Sequence, residues 1–315
     1  MMMDNDTILD TAITHFETIF IVISVVMLLV ICFGNALTLV AVWRTKQLRT
    51  VASIYIVSLA VIDTMIGIGQ SIRNFVFLWS QNVLDDHLVF CAFILIFLPI
   101  LVSISGFCMV LIAIDRYIFI LHPLRYEYLL TPKRAGIAIG TIWVVVPTIC
   151  CSSVHLDFRN GCTNDMLTRN TLYVVLGIIF FAVISISIIF LYTRILIVAR
   201  RHIRNIHSSS SIERNAILGP QKTWKLIKHF LVVFGIFFVC WLPTIINSVI
   251  SYFGEMEPWF LIASYVLILL NSSTNFLVYA WMNRLYREAF KNLLCCNQSS
   301  VSFDTTTGTI QRTAW

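Results

Sequence analysis

The chain has 315 residues, of which 58% are apolar and only 12% charged, with a mean hydropathy of +0.86 and a formal net charge of +6. A water-soluble domain carries about 25% charge, and disordered or collagen-like chains need far more Gly and Pro than the 12 and 7 present, so those classes are excluded. What remains is an integral membrane protein, and nine Cys over this length form no disulfide scaffold.

Residues 1–17 carry Asp4, Asp6, Asp10 and Glu17 and no Lys or Arg. That is the wrong charge for the n-region of a signal peptide, and the segment reads as an extracellular N-terminal tail. Its Asn5-Asp6-Thr7 is a glycosylation sequon, which makes Asn5 a candidate acceptor. Seven apolar runs follow, near Thr18–Trp43, Val51–Leu78, Leu88–Ile120, Lys133–His155, Thr171–Arg200, Thr223–Tyr252 and Pro258–Met282. Each reaches the roughly 20 residues a spanning helix needs, and the third, fifth and sixth are expected to project beyond the bilayer. Gly136 and Gly140 make a GxxxG on the fourth run, read as close helix packing within the protomer.

With the N-terminus outside, only Arg73, Arg159 and Arg169 of the 22 basic residues fall on the exterior face. The positive-inside rule then selects N-out, C-in, and the net charge marks a basic cytoplasmic side rather than a nucleic-acid site. The predicted fold is an all-α membrane protein: a seven-transmembrane bundle over residues 18–283, a short amphipathic interfacial helix over 284–296, and a disordered cytoplasmic tail over 297–315. In the interfacial helix, Leu285, Ala289, Phe290, Leu293 and Leu294 form the predicted apolar stripe. Cys295 and Cys296 at its end are palmitoylation candidates, with unmodified thiols the alternative.

Asp63 is the only acid deep in a span, roughly 20 Å from the cytoplasmic end at 1.5 Å per residue. An ionised carboxylate there costs about 2.5–3.5 kcal/mol on insertion scales, so it needs partners. Ser105, Asn271, Ser272, Asn275 and Asn35 lie at comparable depth. They read either as oxygen ligands gathered with Asp63 around a small cation such as sodium, or as an uncharged network tying helices together. At the cytoplasmic end of the third span, Asp115-Arg116-Tyr117 places an acid beside a guanidinium that it can hold; an interfacial basic anchor is the alternative. Cys91 and Cys162 are the two cysteines on the exterior side. A bridge between them would close a loop of about 70 residues, worth on the order of 4 kcal/mol in the chain-entropy model.

The combination resembles the rhodopsin-like (class A) G protein-coupled receptors over nearly the whole chain. The matching residues are Gly34-Asn35, Ser58-Leu59-Ala60 with Asp63, Asp115-Arg116-Tyr117, Trp143, Tyr192, Cys240-Trp241-Leu242-Pro243 and Asn275 through Tyr279. The resemblance implies a plasma-membrane receptor that binds an extracellular ligand and activates heterotrimeric G proteins by outward movement of the sixth helix. Arrestin and receptor kinase are implied as further partners. Asp63, Ser105, Asn271, Ser272 and Asn275 would form an allosteric sodium pocket, with no other cofactor. Asp115, Arg116, Tyr117, Tyr192, Phe237, Asn275 and Tyr279 would serve activation and G protein coupling, with Trp241 as the aromatic switch under the ligand.

Four positions depart from the family pattern. Ile184 and Phe276 replace the usual prolines of the fifth and seventh helices. Gly106 stands where a branched apolar residue is usual, and Thr223 where many members place an acid. Leu98 replaces the aspartate of amine receptors, and no lysine occurs between Lys228 and Lys291, which excludes a retinal Schiff base on the seventh span. The ligand pocket implied by the resemblance holds Leu98, Val102, Phe181, Trp241, Thr244, Ile245, Ser248 and Tyr265, with Pro99 and Phe180 beside them. Arg73 lies about 15 Å above Asp63 and reads either as an anchor for an acidic ligand or as an arginine snorkelling to the exterior interface. A peptide, an acid or another small molecule are the ligand classes left open. A transporter or channel, the rival class, needs several intramembrane charges or inverted repeats, and an enzyme needs a motif such as HExxH or GxSxG; neither set occurs.

Overall fold

Hydrocarbon offers no water to backbone N–H and C=O groups, so apolar runs of this length must satisfy them within helices. The computed structural model describes residues 5–79, 88–153, 170–207, 220–254, 258–295, 300–303 and 310–313. Within them run α1 (Asn5–Arg44), α2 (Val51–Trp79), α3 (Leu88–Leu121), α4 (Pro132–Ser153), α5 (Thr171–His207), α6 (Pro220–Phe253), α7 (Pro258–Met282) and α8 (Arg284–Leu294). The first seven are long and apolar enough to cross a membrane, over the expected stretches. At 34, 37 and 34 residues, α3, α5 and α6 exceed what the hydrocarbon core requires.

The seven helices close into a ring. Consecutive helices from α1 to α7 pack in turn and α7 returns to α1, while α3 also lies against α5 and α2 touches both α4 and α7. Pro99, Pro147 and Pro243 sit inside α3, α4 and α6, where each removes a backbone donor. Without an internal proline, α7 continues unbroken past Asn275 and Phe276.

Four expectations change. Helix α1 begins at Asn5, so residues read as tail extend the first helix. The GxxxG of α4 meets no neighbouring element among the described residues: a Cβ on Gly136 or Gly140 would find none of their atoms within 4 Å outside the helix's own backbone. On α8, capped by Asn283 whose side chain accepts from the Leu285 N–H at 3.0 Å, the face turned to the bundle is Tyr286, Ala289 and Phe290. Leu285 and Leu294 point away from the protein, which leaves them to the lipid interface. In the tail, β1 (Ser300–Phe303) and β2 (Ile310–Thr313) pair antiparallel, with Ser300 opposite Thr313 and Phe303 opposite Ile310.

Candidate functional site

Three layers of the bundle carry the polar chemistry. The outermost is a cavity of about 530 Å³ between α2, α3, α4, α5, α6 and α7. Arg73, Leu98, Val102, Phe181, Trp241, Thr244, Ile245, Ser248 and Tyr265 all line it, as do Pro99 and Phe180. The sequence reading missed Gln70, Tyr173, Asn247 and Ser251 on the same wall. Helical spacing could have found three of them: Gln70 stands one turn before Arg73, while Asn247 and Ser251 each stand three residues after a predicted α6 residue. Arg73 lines the cavity and is half-buried, its Nη2 donating to the Tyr265 hydroxyl at 2.8 Å. Leu98 puts an apolar wall where amine receptors carry their aspartate.

Below the cavity, Trp241 stands 6.1 Å from the Phe237 ring, and Phe181 stacks on Phe237 at 6.3 Å. A Cβ placed on Gly106 would lie 2.7 Å from Ile184 Cδ1 and 3.6 Å from Phe237 Cζ. The α5 isoleucine therefore fills the space that the missing α3 side chain leaves.

The middle layer holds Asp63, which is 0% exposed. Asn275 Nδ2 donates to its Oδ2 at 2.6 Å. Asn35 Nδ2 donates to the Ile31 carbonyl at 3.0 Å and the Ser272 carbonyl at 3.3 Å, which links α1 to α7. Asp63 Oδ1, Ser105 Oγ and Asn271 Nδ2 are buried and find no hydrogen-bond partner among the described residues, and the Ser272 hydroxyl lies beside the Asp63 carboxylate. A carboxylate oxygen and hydroxyl oxygens buried together are hard donors of the kind a small cation takes.

At the cytoplasmic end, Asp115 is buried and its Oδ2 lies 3.2 Å from Arg116 Nε. Its Oδ1 accepts from the hydroxyl of Tyr126, in the single helical turn Tyr126–Leu129, at 2.8 Å. Burial, with the Asp115 carboxylate beside it, holds the Tyr126 phenol well above its usual range, so it stays a neutral donor. Tyr192 and Tyr279 are buried within electrostatic reach of the Arg116 charge. The Tyr279 ring lies tilted against Tyr286 of α8 at 5.5 Å, and burial pushes the Tyr286 phenol up to about 12. Tyr117 meets the His122 ring edge-on at 6.4 Å.

Cys91 is disulfide-bonded, while Cys32, Cys108, Cys150, Cys151, Cys240 and Cys295 carry free thiols. Cys162, the expected partner, and Cys296 lie outside the described residues, as do the side chains of Asn5 and Thr223. Cys295, just after α8, is exposed.

The sequence family described as 7 transmembrane receptor (rhodopsin family) matches residues 34–279. The histamine H2 receptor of Cavia porcellus is 29% identical over 311 residues, covering 91% of this chain and 82% of that receptor. The melatonin receptor type 1A of Phodopus sungorus is 29% identical over 277 residues, 83% of this chain and 76% of its own length. A QRFP-like peptide receptor of Branchiostoma floridae is 28% identical over 313 residues, with 91% and 80% covered. The names of these relatives point to three different ligands.

Proposed function

The chain belongs to the rhodopsin family of seven-transmembrane receptors, and we propose that it binds a small extracellular molecule in the cavity above Trp241 and activates a heterotrimeric G protein at Arg116. The observation that carries this reading is the continuous stack from the cavity through Trp241 and Phe237 to Ile184 at Gly106. A ligand that moves Trp241 moves Phe237, and Phe237 can shift only if Ile184 and Gly106 repack. A packed core of this kind has two discrete arrangements rather than a continuum. The agonist acts by binding one of them better, the one with α6 moved outward.

Asp115 holds Arg116 in the resting arrangement. Tyr192 and Tyr279, already within reach of the Arg116 charge, support it once it is released. Asp63, Ser105, Asn271, Ser272 and Asn275 would hold a sodium ion, which when bound would supply a positive charge favouring the resting packing around the carboxylate. Charge distribution supports an extracellular N-terminus, with Asn5 as a glycan acceptor, a Cys91–Cys162 bridge outside, and Cys295 and Cys296 as lipid anchors inside. The family reading adds arrestin and receptor kinase on the same cytoplasmic face.

Transfected cells carrying a panel of G protein activation sensors, challenged with small-molecule pools, test the proposal. A response present in the native chain and absent in Arg116→Ala is expected. A response that the variant retains in full would remove Arg116, and with it the coupling route, from the account.

A further inference from the structure

We propose that the ligand of this cavity is a neutral molecule with a hydrogen-bond donor at one end and a carbonyl acceptor at the other, read by the Gln70 carboxamide of α2 and the Asn247 carboxamide of α6. The inference rests on the receptor reading above and adds the chemistry of the ligand.

Both carboxamides line the cavity, yet Gln70 is only 1% exposed and Asn247 4%. An amide withdrawn that far from water needs partners for its oxygen and for its nitrogen. Gln70 commits its nitrogen to the bundle: Nε2 donates to Asn74 Oδ1 at 3.0 Å, and Asn74 Nδ2 donates to Ser24 Oγ of α1 at 3.2 Å. Asn74 and Ser24 are buried as well, so this relay holds Gln70 from behind. Gln70 Oε1 is left without a donor among the described residues. Asn247 is engaged at its opposite end. Its Oδ1 accepts from the Ser251 hydroxyl at 3.4 Å, and its Nδ2 is left without an acceptor among the described residues. The α2 wall therefore offers an acceptor and the α6 wall a donor, with α7 between them.

A ligand completes both amides when it donates an N–H or O–H to Gln70 and turns a carbonyl oxygen to Asn247. Neither bond needs a charge. Among the described lining residues none is an Asp or Glu, so an ammonium ligand meets no carboxylate there and bears the cost of losing its water. Arg73 is engaged at Tyr265, and the two carboxamides place no demand on it. Leu98, Val102, Phe180 and Phe181 make the wall apolar and suit an aromatic or hydrocarbon body. The volume of about 530 Å³ holds one small molecule.

Two matched probe sets test this, one on a 3-(4-hydroxyphenyl)propyl frame and one on a 3-(6-hydroxynaphthalen-2-yl)propyl frame. Each set holds the N,N-dimethylpropanamide, with a phenol donor and a carbonyl but no amide N–H. Its controls are the deoxy amide, which lacks the donor, the N,N-dimethylamine, whose carbonyl is a methylene, and the free propanoic acid. Binding is read at neutral pH as ligand-induced thermal stabilisation of the purified receptor in nanodiscs, which needs no G protein. The receptor reading can thus fail at Arg116 while this inference stands, and the reverse. In at least one set the hydroxy amide is expected to half-saturate at about fivefold lower concentration than each control, the worth of one buried neutral hydrogen bond. Gln70→Met should abolish its advantage over the deoxy amide and keep that over the amine. Asn247→Leu should do the reverse. A control that binds as well as the hydroxy amide in both sets, an advantage that survives its own substitution, or no stabilisation by either hydroxy amide would overturn the proposal. Should Gln70→Met fail to fold, an advantage over the amine that is intact in Asn247→Leu overturns it.

Discussion

The Phe276 ring lies directly on Gly34: a Cβ built on that glycine would overlap ring carbon Cδ1. The family's proline at position 276 is replaced by an aromatic side chain, and the α1 residue it meets has no side chain. Phe276 is buried and sits one residue after Asn275, the partner of Asp63. The contact therefore sets how α7 approaches α1 where the polar cluster is built.

Gly34→Ala should be destabilising, because no real Cβ tolerates such an overlap and the ring must move. Overpacking of this kind typically costs about 1–3 kcal/mol. Thermal denaturation of purified protein reads the loss, and a Gly34→Ala, Phe276→Leu double variant should recover part of it. Equal melting of native and Gly34→Ala protein would mean that the ring has free space elsewhere.

A second complementary pair governs the switch region. Ile184 occupies the volume that a side chain on Gly106 would need. Gly106→Val should lower stability by about 1–3 kcal/mol. Ile184→Ala, which opens a cavity in the native background, should cost about 2–5 kcal/mol. Combined, the two changes should cost less than their sum, and a double-mutant cycle measures that coupling. Strict additivity would show that Gly106 and Ile184 do not share one space. Raised ligand-free G protein signalling in Gly106→Val would place the same contact on the activation path.

These pairs show what the sequence can and cannot reveal in such a bundle. The spans were legible because hydrocarbon demands a minimum apolar length, and the observed helices lie over the predicted runs. The rotation of each helix was not, because lipid and core are equally apolar. Ile186 is 66% exposed and Ile188 2%, two isoleucines on one helix that composition cannot distinguish. The outward GxxxG of α4 and the misplaced edges of the α8 stripe have the same cause. Polar residues were more legible: Asp63, Asn271 and Asn275 are costly in lipid and so had to face inward. Arg73 escaped that logic because its length lets it reach either the cavity or the interface. Gln70 and Asn247 were missed because a neutral amide near the exterior end carries a weaker signal.

The middle layer predicts a specific salt response. If sodium binds at Asp63, raising NaCl at constant ionic strength, with choline chloride as the balance, should raise the melting temperature as a ligand binding only the folded state must. KCl in the same protocol should do less, since the larger ion fits the oxygen set worse. Asp63→Asn should remove the sodium effect while keeping a side chain that can still meet Asn275. Ser105→Ala should weaken it. Identical melting in NaCl and choline chloride would favour the plain hydrogen-bond network that ties α2 to α7.

The cytoplasmic layer yields the last prediction. Tyr126 donates its hydroxyl hydrogen bond to Asp115 Oδ1, while Arg116 Nε lies 3.2 Å from Oδ2 as an ion pair, so Tyr126 supplies the hydrogen bond that this buried carboxylate accepts among the described residues. Tyr126→Phe keeps the ring against Phe119, 5.3 Å away, and deletes only the hydroxyl. One oxygen of a buried carboxylate is then left without its donor, a loss of about 1–3 kcal/mol. The resting arrangement bears that loss, because it is the one in which Asp115 and Arg116 are clamped together. The variant should therefore melt earlier and signal more without ligand. The phenol keeps its proton because its burial raises it well above the usual range, so the difference between native and variant should stay constant from about pH 6 to 9, below the ordinary tyrosine range. The sign is fixed: only above about pH 10, where tyrosines in the unfolded chain begin to ionise while folded Tyr126 does not, should its contribution to stability decline. Basal signalling in Tyr126→Phe at or below the native level, in protein expressed equally at the surface, would show that this hydrogen bond does not restrain Arg116.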